Sequence, residues 1–345
     1  MRLAGLMWLW PVIATVTAIT SASTNLYNFQ PENATSIWEQ NKIPILFSLN
    51  ETQRTSYNGS WWTSSYLTTE DSQQYFVFSQ FMTGNNNQSI YRSSVLDLAD
   101  LSYSYSIVAG NGTTASKRLL IQAEDNGFEA LSDDNIARMR TWSNNDNTTF
   151  DITWNATSVA LVDGGTGSFA LSSSTSYQWG LPGCRTAGTL TIDETEKTID
   201  PTNSMTWYDR QWGTTGVSSS ISALNWTWHE LHLPNTADKL SIWAIDDNGS
   251  PTARFATIRA RDGSQYVVPA TFTPDYGRTY ESSNTGTVYP LDWTVEIGNW
   301  GSLRISSVAE DQEVAGSTKA QTIYEGFVTF VGDFNNQAVA GYGLV

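Results

Sequence analysis

The segment 207-WYDRQWG-213 places a carboxyl group and a guanidinium group next to each other between aromatic residues. In a β-strand, successive side chains point to opposite faces, so Asp209 and Arg210 are expected on different sides of the sheet. Arg210 shares its face with Tyr208 and Trp212, whose rings are suited to stacking on a guanidinium group. A carboxyl group can act as a general acid, whereas a guanidinium group can donate hydrogen bonds to a carbonyl oxygen.

Only one of these two faces can enter a binding pocket. We expect it to be the face of Arg210, because a guanidinium group stays charged and can donate hydrogen bonds even when it is partly desolvated. Asp209 would then stabilise the strand through hydrogen bonds. The roles are exchanged if the protein hydrates an alkene, since Asp209 would then be the proton donor. In a third interpretation both residues are structural, and each ties this strand to a neighbouring sheet.

The segment 225-NWTWHELHL-233 contains both histidines of the sequence. Alternation groups four side chains on one face, namely Trp226, Trp228, Glu230 and His232. His229 and His232 therefore point in opposite directions and no third ligand motif accompanies them, so we predict neither a metal site nor a cofactor. His229 lies on the face of Leu231, where it is expected to be a hydrogen-bond donor or general base, or else a histidine of the wall.

A third segment, 177-YQWGLPGC-184, contains a tryptophan before a rigid Gly-Pro-Gly turn, and Trp179 could either line a cavity or pack in the core. The candidate catalytic residues are Arg210, Asp209 and His229. The candidate substrate-binding residues are Tyr208, Trp212, Trp226, Trp228, Trp179 and Glu230.

The elements that must position these residues are predicted to be β-strands, because apolar and polar residues alternate along most of the chain. Examples are 75-YFVFSQFM-82, 150-FDITWNA-156, 189-TLTID-193, 226-WTWHELHL-233, 240-LSIWAI-245, 265-QYVVPATF-272 and 323-IYEGFVTF-330. Turn signals such as 125-DNG-127 separate them, which is typical of antiparallel sandwiches or barrels. A helix is predicted only for 132-SDDNIARMRTW-142, which has an N-cap serine and an acidic first turn.

Composition narrows the range of partners. The chain carries 34 acidic and 18 basic residues, a net charge of −16, and no cluster of Lys and Arg. A surface that follows nucleic-acid phosphates is therefore not expected. The expected partner is neutral or small, unless the acidic residues only keep the protein soluble. Cys184 is the single cysteine of the sequence, so no internal disulfide can form.

The first residues predict a secretory signal peptide over 1–23. Arg2 precedes an apolar run from Leu3 to Ile19, and the small residues 20-TSAS-23 offer a cleavage site. We therefore expect a secreted chain with no membrane span after cleavage. Eight sequons are the candidate glycosylation sites: Asn33, Asn50, Asn58, Asn87, Asn111, Asn147, Asn155 and Asn225. The polar connection 193-DETEKTIDPTNS-204 divides the remainder into predicted β-domains over 24–200 and 201–345.

The run 188–213, followed by 225–233 and 240–245, resembles the lipocalin-like carotenoid hydratase group, which includes fungal kievitone hydratases and fungal Diels–Alderases. The resemblance rests on a Trp–aromatic–Asp–x–x–Trp–Gly block followed by a Trp-x-Trp strand. It implies an all-β fold of two lipocalin-like antiparallel barrel or sandwich domains packed side by side, with an apolar pocket in or between them. Asp209, Arg210, Trp212, Trp226 and Trp228 fall on the matching block, although bacterial members carry a histidine at the position of Arg210.

The resemblance implies a secreted, cofactor-free enzyme of fungal-type secondary metabolism. The expected reaction is a Diels–Alder or hetero-Diels–Alder cycloaddition on a bulky apolar precursor of terpenoid, polyketide or polyene type. One alternative is a hydratase or dehydratase that adds water to an alkene of such a molecule or removes it. The other alternative is a lipocalin-type carrier that binds the molecule unchanged.

Overall fold

The computed structural model describes nine segments of the chain, 27–34, 45–53, 59–84, 88–114, 118–171, 174–213, 224–247, 249–318 and 321–345. Within them the fold is all-β, as the alternation predicted. The described helical elements are α1 (Leu49–Thr52) and a 3-10 turn (Asp163–Gly165). Among the described residues, no helix is long and apolar enough to cross a membrane.

The first sheet contains fourteen strands that are joined by antiparallel pairing. They are β1 (Gly59–Thr68), β2 (Gln74–Thr83), β3 (Gln88–Asp97), β4 (Tyr103–Asn111), β5 (Thr113–Thr114), β6 (Leu120–Ala123), β7 (Asn126–Ala130), β8 (Arg138–Asn145), β9 (Thr148–Asn155), β10 (Leu161–Val162), β11 (Ser168–Leu171), β12 (Ser174–Ile192), β13 (Thr195–Thr198) and β14 (Met205–Gly213). The main path runs β4-β3-β2-β1-β14-β12-β9-β8-β7-β6-β5. β14 therefore lies in the middle of this sheet, between β1 and β12.

The second sheet closes into a barrel in the order β15-β16-β17-β18-β19-β20-β23-β24. Its strands and a small accompanying hairpin are β15 (Leu224–Leu233), β16 (Asp238–Asp247), β17 (Ser250–Arg259), β18 (Gln265–Glu281), β19 (Val288–Ile297), β20 (Gly301–Ser307), β21 (Glu313–Val314), β22 (Ile323–Tyr324), β23 (Phe327–Phe334) and β24 (Gln337–Leu344). The described pairing divides the two sheets between Gly213 and Leu224, whereas the sequence predicted a boundary after residue 200.

Period-two alternation builds the barrel core. Along β19, Trp293, Val295 and Ile297 are buried, whereas Thr294 and Glu296 between them are exposed. The inward residues of neighbouring strands complete one apolar cluster inside the barrel. Burying such side chains contributes about 1.5–3 kcal/mol each, so this alternation fixes the register of the barrel strands.

A second apolar cluster joins the two sheets, and we call this region the domain interface. It comprises Phe29, Trp62, Tyr66, Phe76, Phe78, Leu96, Leu161, Met205, Trp207, Trp228, Trp243, Ile245, Val314, Phe327, Tyr342 and Leu344. The first sheet contributes mainly through β1, β2 and β14, and the barrel contributes the outer side chains of β15, β16 and β24. Consequently β14 is covered on both faces, by the core of its own sheet and by the barrel.

The helix predicted for 132–142 is wrong. Residues 132–137 form a turn, and β8 begins at Arg138. The Asp134 carboxylate accepts hydrogen bonds from the backbone N–H groups of Ile136 (3.1 Å) and Ala137 (2.9 Å). The same acidic residue that caps a helix can thus close a tight turn, and Met139 is buried as a strand residue next to β9.

Candidate active site at the domain interface

The alternating face of β14 that contains Asp209 points into the domain interface. Trp62 of β1 lies directly opposite Asp209, and Ser64 lies opposite Trp207. Paired residues of antiparallel strands project from the same face, so these four side chains form one surface. The barrel covers it with the outer face of β15.

Asp209 is buried at this surface with one oxygen engaged. Its Oδ1 accepts a hydrogen bond of 3.1 Å from Gln178 Nε2, and its Oδ2 has no hydrogen-bond partner among the described residues. Gly180 lies opposite it on β12, and a Cβ atom there would stand 3.1 Å from Asp209 Oδ2 and 2.7 Å from Trp207 Nε1. A side chain at position 180 would therefore collide with Trp207 and crowd Asp209, so glycine allows these two groups to pack directly against β12. Burial raises the pKa of Asp209 well above its usual range, and the nearby carboxylate of Asp163 raises it further.

Glu230 brings a second carboxyl group from the barrel. Tyr66 donates a hydrogen bond of 2.7 Å to its Oε1, while its Oε2 is unpartnered within the described part of the chain. Burial raises the pKa of Glu230 well above its usual range, and the charge of Asp209 contributes in the same direction. Lys239 opposes this effect by favouring the ionised form.

Asp163 is the third buried carboxyl group of the site. Ser241 donates a hydrogen bond to its Oδ1 and itself receives one of 2.8 Å from Trp228 Nε1. Burial raises the pKa of Asp163 to about 7. Burial thus raises the pKa of all three carboxyl groups, while Asp163 adds to the shift of Asp209 and Asp209 adds to that of Glu230. Burial of neighbouring carboxyl groups is how proteins favour a protonated carboxylic acid.

Tryptophan rings line the same region. The ring centroids of Trp62 and Trp228 are 5.7 Å apart, and those of Trp207 and Trp228 are 6.2 Å apart, both in edge-to-face geometry. Trp243 stacks on Trp228 at 5.9 Å. Electron-rich aromatic faces attract positive charge, so this wall can accommodate a cation that forms beside the acids.

A basic group lies at one end of the site. Lys239 Nζ stands 2.8 Å from His232 Nδ1, and Arg259 forms a buried ion pair with Glu32. Burial lowers the pKa of Lys239 to about 8 and, together with the charge of Lys239, holds the pKa of His232 well below its usual range. His232 is therefore neutral. Its Nε2 has no partner among the residues that the structure describes.

A further polar pair lies where the β22–β23 connection meets the first sheet. Arg92 donates 2.6 Å and 2.9 Å hydrogen bonds to Gln80 Oε1 and to the carbonyl oxygen of Gln321. Glu325 is buried near Arg92. Burial raises the pKa of Glu325 well above its usual range, and the positive charge of Arg92 opposes that shift. The sequence analysis missed Tyr66, Asp163, Lys239, Arg92 and Glu325, because each stands on an ordinary alternating strand or turn with no local motif.

The structure places Arg210 away from this site, in the core of the first sheet. Its Nε donates a 2.9 Å hydrogen bond to the carbonyl oxygen of Thr52, and its Nη1 donates to the carbonyl oxygens of Ser60 (3.1 Å) and Gln211 (2.6 Å). The guanidinium group lies 3.9 Å from the ring centre of Trp61. Asp209 and Arg210 do point to opposite faces, but the face that meets the barrel belongs to Asp209.

Three predicted binding residues accompany Arg210 in that core rather than the interface. Tyr208 donates a 2.7 Å hydrogen bond to Gln53 Oε1, and Trp179 Nε1 donates one of 2.9 Å to Thr52 Oγ1. Trp212 belongs to the same buried cluster. Because these rings are buried around Arg210, this face of β14 is part of the packed core of the first sheet.

His229 and Trp226 lie at the barrel. His229 points inward, with its ring 5.4 Å from that of Trp293, and Trp226 lines the barrel mouth, where it is 36% exposed. Trp228 and Glu230 are thus the predicted binding residues that the structure brings next to Asp209.

The predicted sequons have different positions. Asn33, Asn147, Asn155 and Asn225 are exposed, and Asn50 is half-buried. Asn58, Asn87 and the side chain of Asn111 lie outside the described residues, as does the predicted signal peptide over 1–23.

Comparison with known proteins identifies relatives of the whole chain. The AttH-like family matches residues 40–345. The chain is 44% identical over 336 residues to kievitone hydratase of Fusarium solani subsp. phaseoli, covering 97% of this chain and 94% of the relative. It is 41% identical over 345 residues to dehydratase asqC of Emericella nidulans, covering 97% of each. The crystal structure of kievitone hydratase from Nectria haematococca superposes with a TM-score of 0.87 at 41% identity, covering 92% of this chain and 97% of that one.

These relationships confirm the resemblance to kievitone hydratases and the fold of two β-domains. They also confirm that the chain is an enzyme, since both sequence relatives are named for a reaction that adds or removes water.

Proposed function

We propose that this chain, which belongs to the AttH-like family, is a hydro-lyase that adds water to a carbon–carbon double bond of a bulky hydrophobic molecule, or removes it. The observation that carries the proposal is the group of buried carboxyls Asp209, Glu230 and Asp163 against tryptophan rings at the domain interface. An alkene is protonated only by a strong or desolvated acid, and its hydration passes through a cation. The interface provides for both requirements.

Asp209 is assigned as the general acid. Its raised pKa favours the protonated carboxyl group that an acid needs, and its Oδ2 packs close to Gly180. In hydration the O–H bond of Asp209 breaks, its proton forms a C–H bond with one alkene carbon, and the positive charge moves to the other carbon. Trp62, Trp207 and Trp228 stabilise that charge through their ring faces.

Glu230 is assigned as the general base. Tyr66 donates to its Oε1; burial raises the pKa of Glu230 as it does that of Asp209, and the charge of Lys239 opposes this shift. Two coupled carboxyl groups tend to share one proton, because ionising both in a dry site is costly. When water attacks the cation, Glu230 takes the proton that the water loses, and the proton later returns to Asp209. Dehydration follows the same steps in reverse with the roles exchanged.

The cycloaddition that the sequence analysis favoured depended on Arg210 as a hydrogen-bond donor to the substrate. Arg210 instead donates to backbone carbonyl oxygens inside the first sheet. The donor for that mechanism is therefore engaged elsewhere, which supports hydration over cycloaddition. Hydration also agrees with the names of the two sequence relatives.

The test is incubation of the purified protein with kievitone, for which one relative is named, and with a set of hydrophobic alkenes, in normal and in deuterated water. Hydration adds the mass of one water molecule and places one deuterium on carbon. Cycloaddition changes neither the hydrogen count nor the carbon-bound deuterium. Tight binding with recovery of the starting molecule, unchanged in both mass and chromatographic retention, would mean that the protein does not act on the molecules offered.

The variant Asp209→Asn separates catalysis from binding. The amide cannot donate the proton, so deuterium incorporation and hydration should both disappear while the substrate still binds. Full activity of Asp209→Asn would contradict the proposal, and Glu230 or Asp163 would then have to be the acid.

A further inference from the structure

His232 is a buried polar side chain of the domain interface to which the proposed reaction gives no role. It lies two residues after Glu230 on the face of β15 that meets the first sheet. Its ring is 4.8 Å from that of Tyr66, whose hydroxyl group donates to Glu230. It is also 5.4 Å from the ring of Trp207, which shares its face of β14 with Asp209. The imidazole therefore lies next to the groups that surround the assigned acid and base.

Lys239 determines which nitrogen of His232 carries the proton. Its Nζ stands 2.8 Å from His232 Nδ1, and burial lowers the pKa of Lys239 to about 8, so most of it is charged at pH 7. An ammonium group has donors only, so Nδ1 must accept this hydrogen bond. Burial and the charges of Lys239 and Arg259 hold the pKa of His232 well below its usual range. The ring is therefore neutral, and its one N–H group is at Nε2.

This N–H group is a donor in need of an acceptor. His232 Nε2 has no hydrogen-bond partner among the residues that the structure describes. Buried donors of this kind are commonly satisfied by an ordered water molecule or by an oxygen of a ligand, because leaving them unpaired is unfavourable.

Glu230 provides an acceptor beside this donor. A carboxylate has about four lone-pair directions, so the hydrogen bonds from Tyr66 and Ser64 leave others open. Residues two apart on a strand face have Cα atoms about 6.6 Å apart. A water molecule with two hydrogen bonds of about 2.8 Å spans most of that distance. One water molecule can therefore accept from His232 and donate to Glu230.

We propose that His232 and Glu230 together hold the water molecule that attacks the cation, and that Lys239 is a positioning residue that keeps the proton of His232 on Nε2. This role rests on the proposed hydration. The water oxygen keeps one lone pair for the cationic carbon. As the C–O bond forms from that pair, the O–H bond that points to Glu230 breaks and its proton passes to the carboxylate, while the N–H bond of His232 stays intact.

Deuterium separates the capture of water from the protonation of the alkene. In deuterated water Asp209 adds deuterium to carbon, and a cation that captures no water returns to the alkene by losing a proton. The probe is 2-isopropenylnaphthalene, in which the protonated carbon becomes a rotating methyl group. Such a group mostly loses hydrogen rather than the added deuterium, so the recovered alkene is labelled. The quantity measured is the initial rate of this labelling divided by the initial rate of hydration.

The variants of His232 should shift this ratio. His232→Leu should lower hydration at least tenfold and raise the ratio, because the cation still forms but water is held poorly. His232→Gln should recover part of the hydration rate, since its amide can donate from the position of Nε2. Tyr342→Phe is the matched control for packing: it keeps the ring that stacks on His232 at 5.4 Å and loses the hydrogen bond to the carbonyl oxygen of Asn28. Its ratio should equal that of the wild type, and thermal melts confirm that each variant is folded.

Nitrogen-15 NMR reports the tautomer without any turnover. The sequence contains two histidines, so labelling with ¹⁵N-histidine gives two imidazole rings, and the spectrum of His232→Gln assigns them. The wild type at pH 7 should carry the proton of His232 on Nε2. Lys239→Met should show both tautomers and a smaller loss of hydration than His232→Leu.

The inference is overturned if the wild type carries the proton of His232 on Nδ1. It is also overturned if folded His232→Leu lowers labelling and hydration by the same factor, because His232 would then only pack against its neighbours. A wild type that neither hydrates nor labels the probe or kievitone contradicts the proposed function itself, and that result is obtained before any variant of His232 is compared.

Discussion

Single substitutions of the neighbouring residues Asp209 and Arg210 should have opposite effects, one on kcat and the other on the free energy of unfolding. Asp209→Asn removes a proton donor but keeps the size of the side chain and the oxygen that accepts from Gln178. Because burial raises the pKa of the native carboxyl group and so favours its neutral form, a neutral amide should change the free energy of unfolding by less than about 1 kcal/mol. Loss of a general acid should lower kcat by about 10²–10⁴-fold.

Arg210→Met should show the opposite pattern. The substitution removes three hydrogen bonds from a charged group to the carbonyl oxygens of Thr52, Ser60 and Gln211. At roughly 1.5 kcal/mol each they contribute about 4–5 kcal/mol, and stacking on Trp61 adds about 2 kcal/mol. Part of this sum is regained, because burial of the charge, which lowers the pKa of Arg210 to about 9, is itself unfavourable. We expect a net destabilisation of about 2–4 kcal/mol, with kcat per folded molecule within about threefold of wild type.

The assay combines urea unfolding followed by tryptophan fluorescence with initial hydration rates, corrected for the folded fraction. Arg210→Lys is the control that keeps the charge but loses the planar donor geometry, and its stability should lie between wild type and Arg210→Met. If Arg210→Met lowers kcat as much as Asp209→Asn while its unfolding free energy is unchanged, Arg210 contacts the substrate and the assignment of the two faces fails.

The remaining predictions concern Asp163, Gly180 and Asn147. Between pH 3.8 and about 7 the folded protein holds a proton on Asp163 that the unfolded chain releases, so the stability of the wild type falls as pH rises through this window. Asp163→Asn should therefore be more stable than wild type at pH 8, by up to about 4 kcal/mol. Thermal melts should show no such gain at pH 4. Gly180→Ala should lower kcat by at least tenfold because its Cβ would meet Trp207 and Asp209. The control Gly110→Ala, whose Cβ meets nothing within 4 Å, should leave kcat unchanged. Equal kcat values for the two variants would place the reacting atoms elsewhere. We also propose that the chain is secreted and glycosylated at the exposed Asn147, so glycosidase treatment of protein from a eukaryotic host should lower its mass more than that of Asn147→Gln.

The sequence alone predicted which side chains of a strand share a face. The period-two pattern correctly separated Asp209 from Arg210 and His229 from His232, because in a strand the direction of a side chain depends only on its position. The same pattern predicted the all-β fold, and the block at 207–213 indicated the family. The segment 132–142 misled for a local reason, since an acidic residue after Ser132 serves a tight turn as well as a helix start.

Which face of β14 meets the substrate was decided by tertiary structure alone. A strand with one outer face alternates buried and exposed residues, yet Met205 to Arg210 of β14 are all buried. One face packs in the core of its own sheet, and the other is covered by a barrel formed by later residues. Tyr66 reaches Glu230 across 164 positions of sequence, and such a contact leaves no local pattern. The chemistry of Asp209 therefore follows from its neighbours in space, whose burial and charge set its pKa, and a linear sequence does not record those distances.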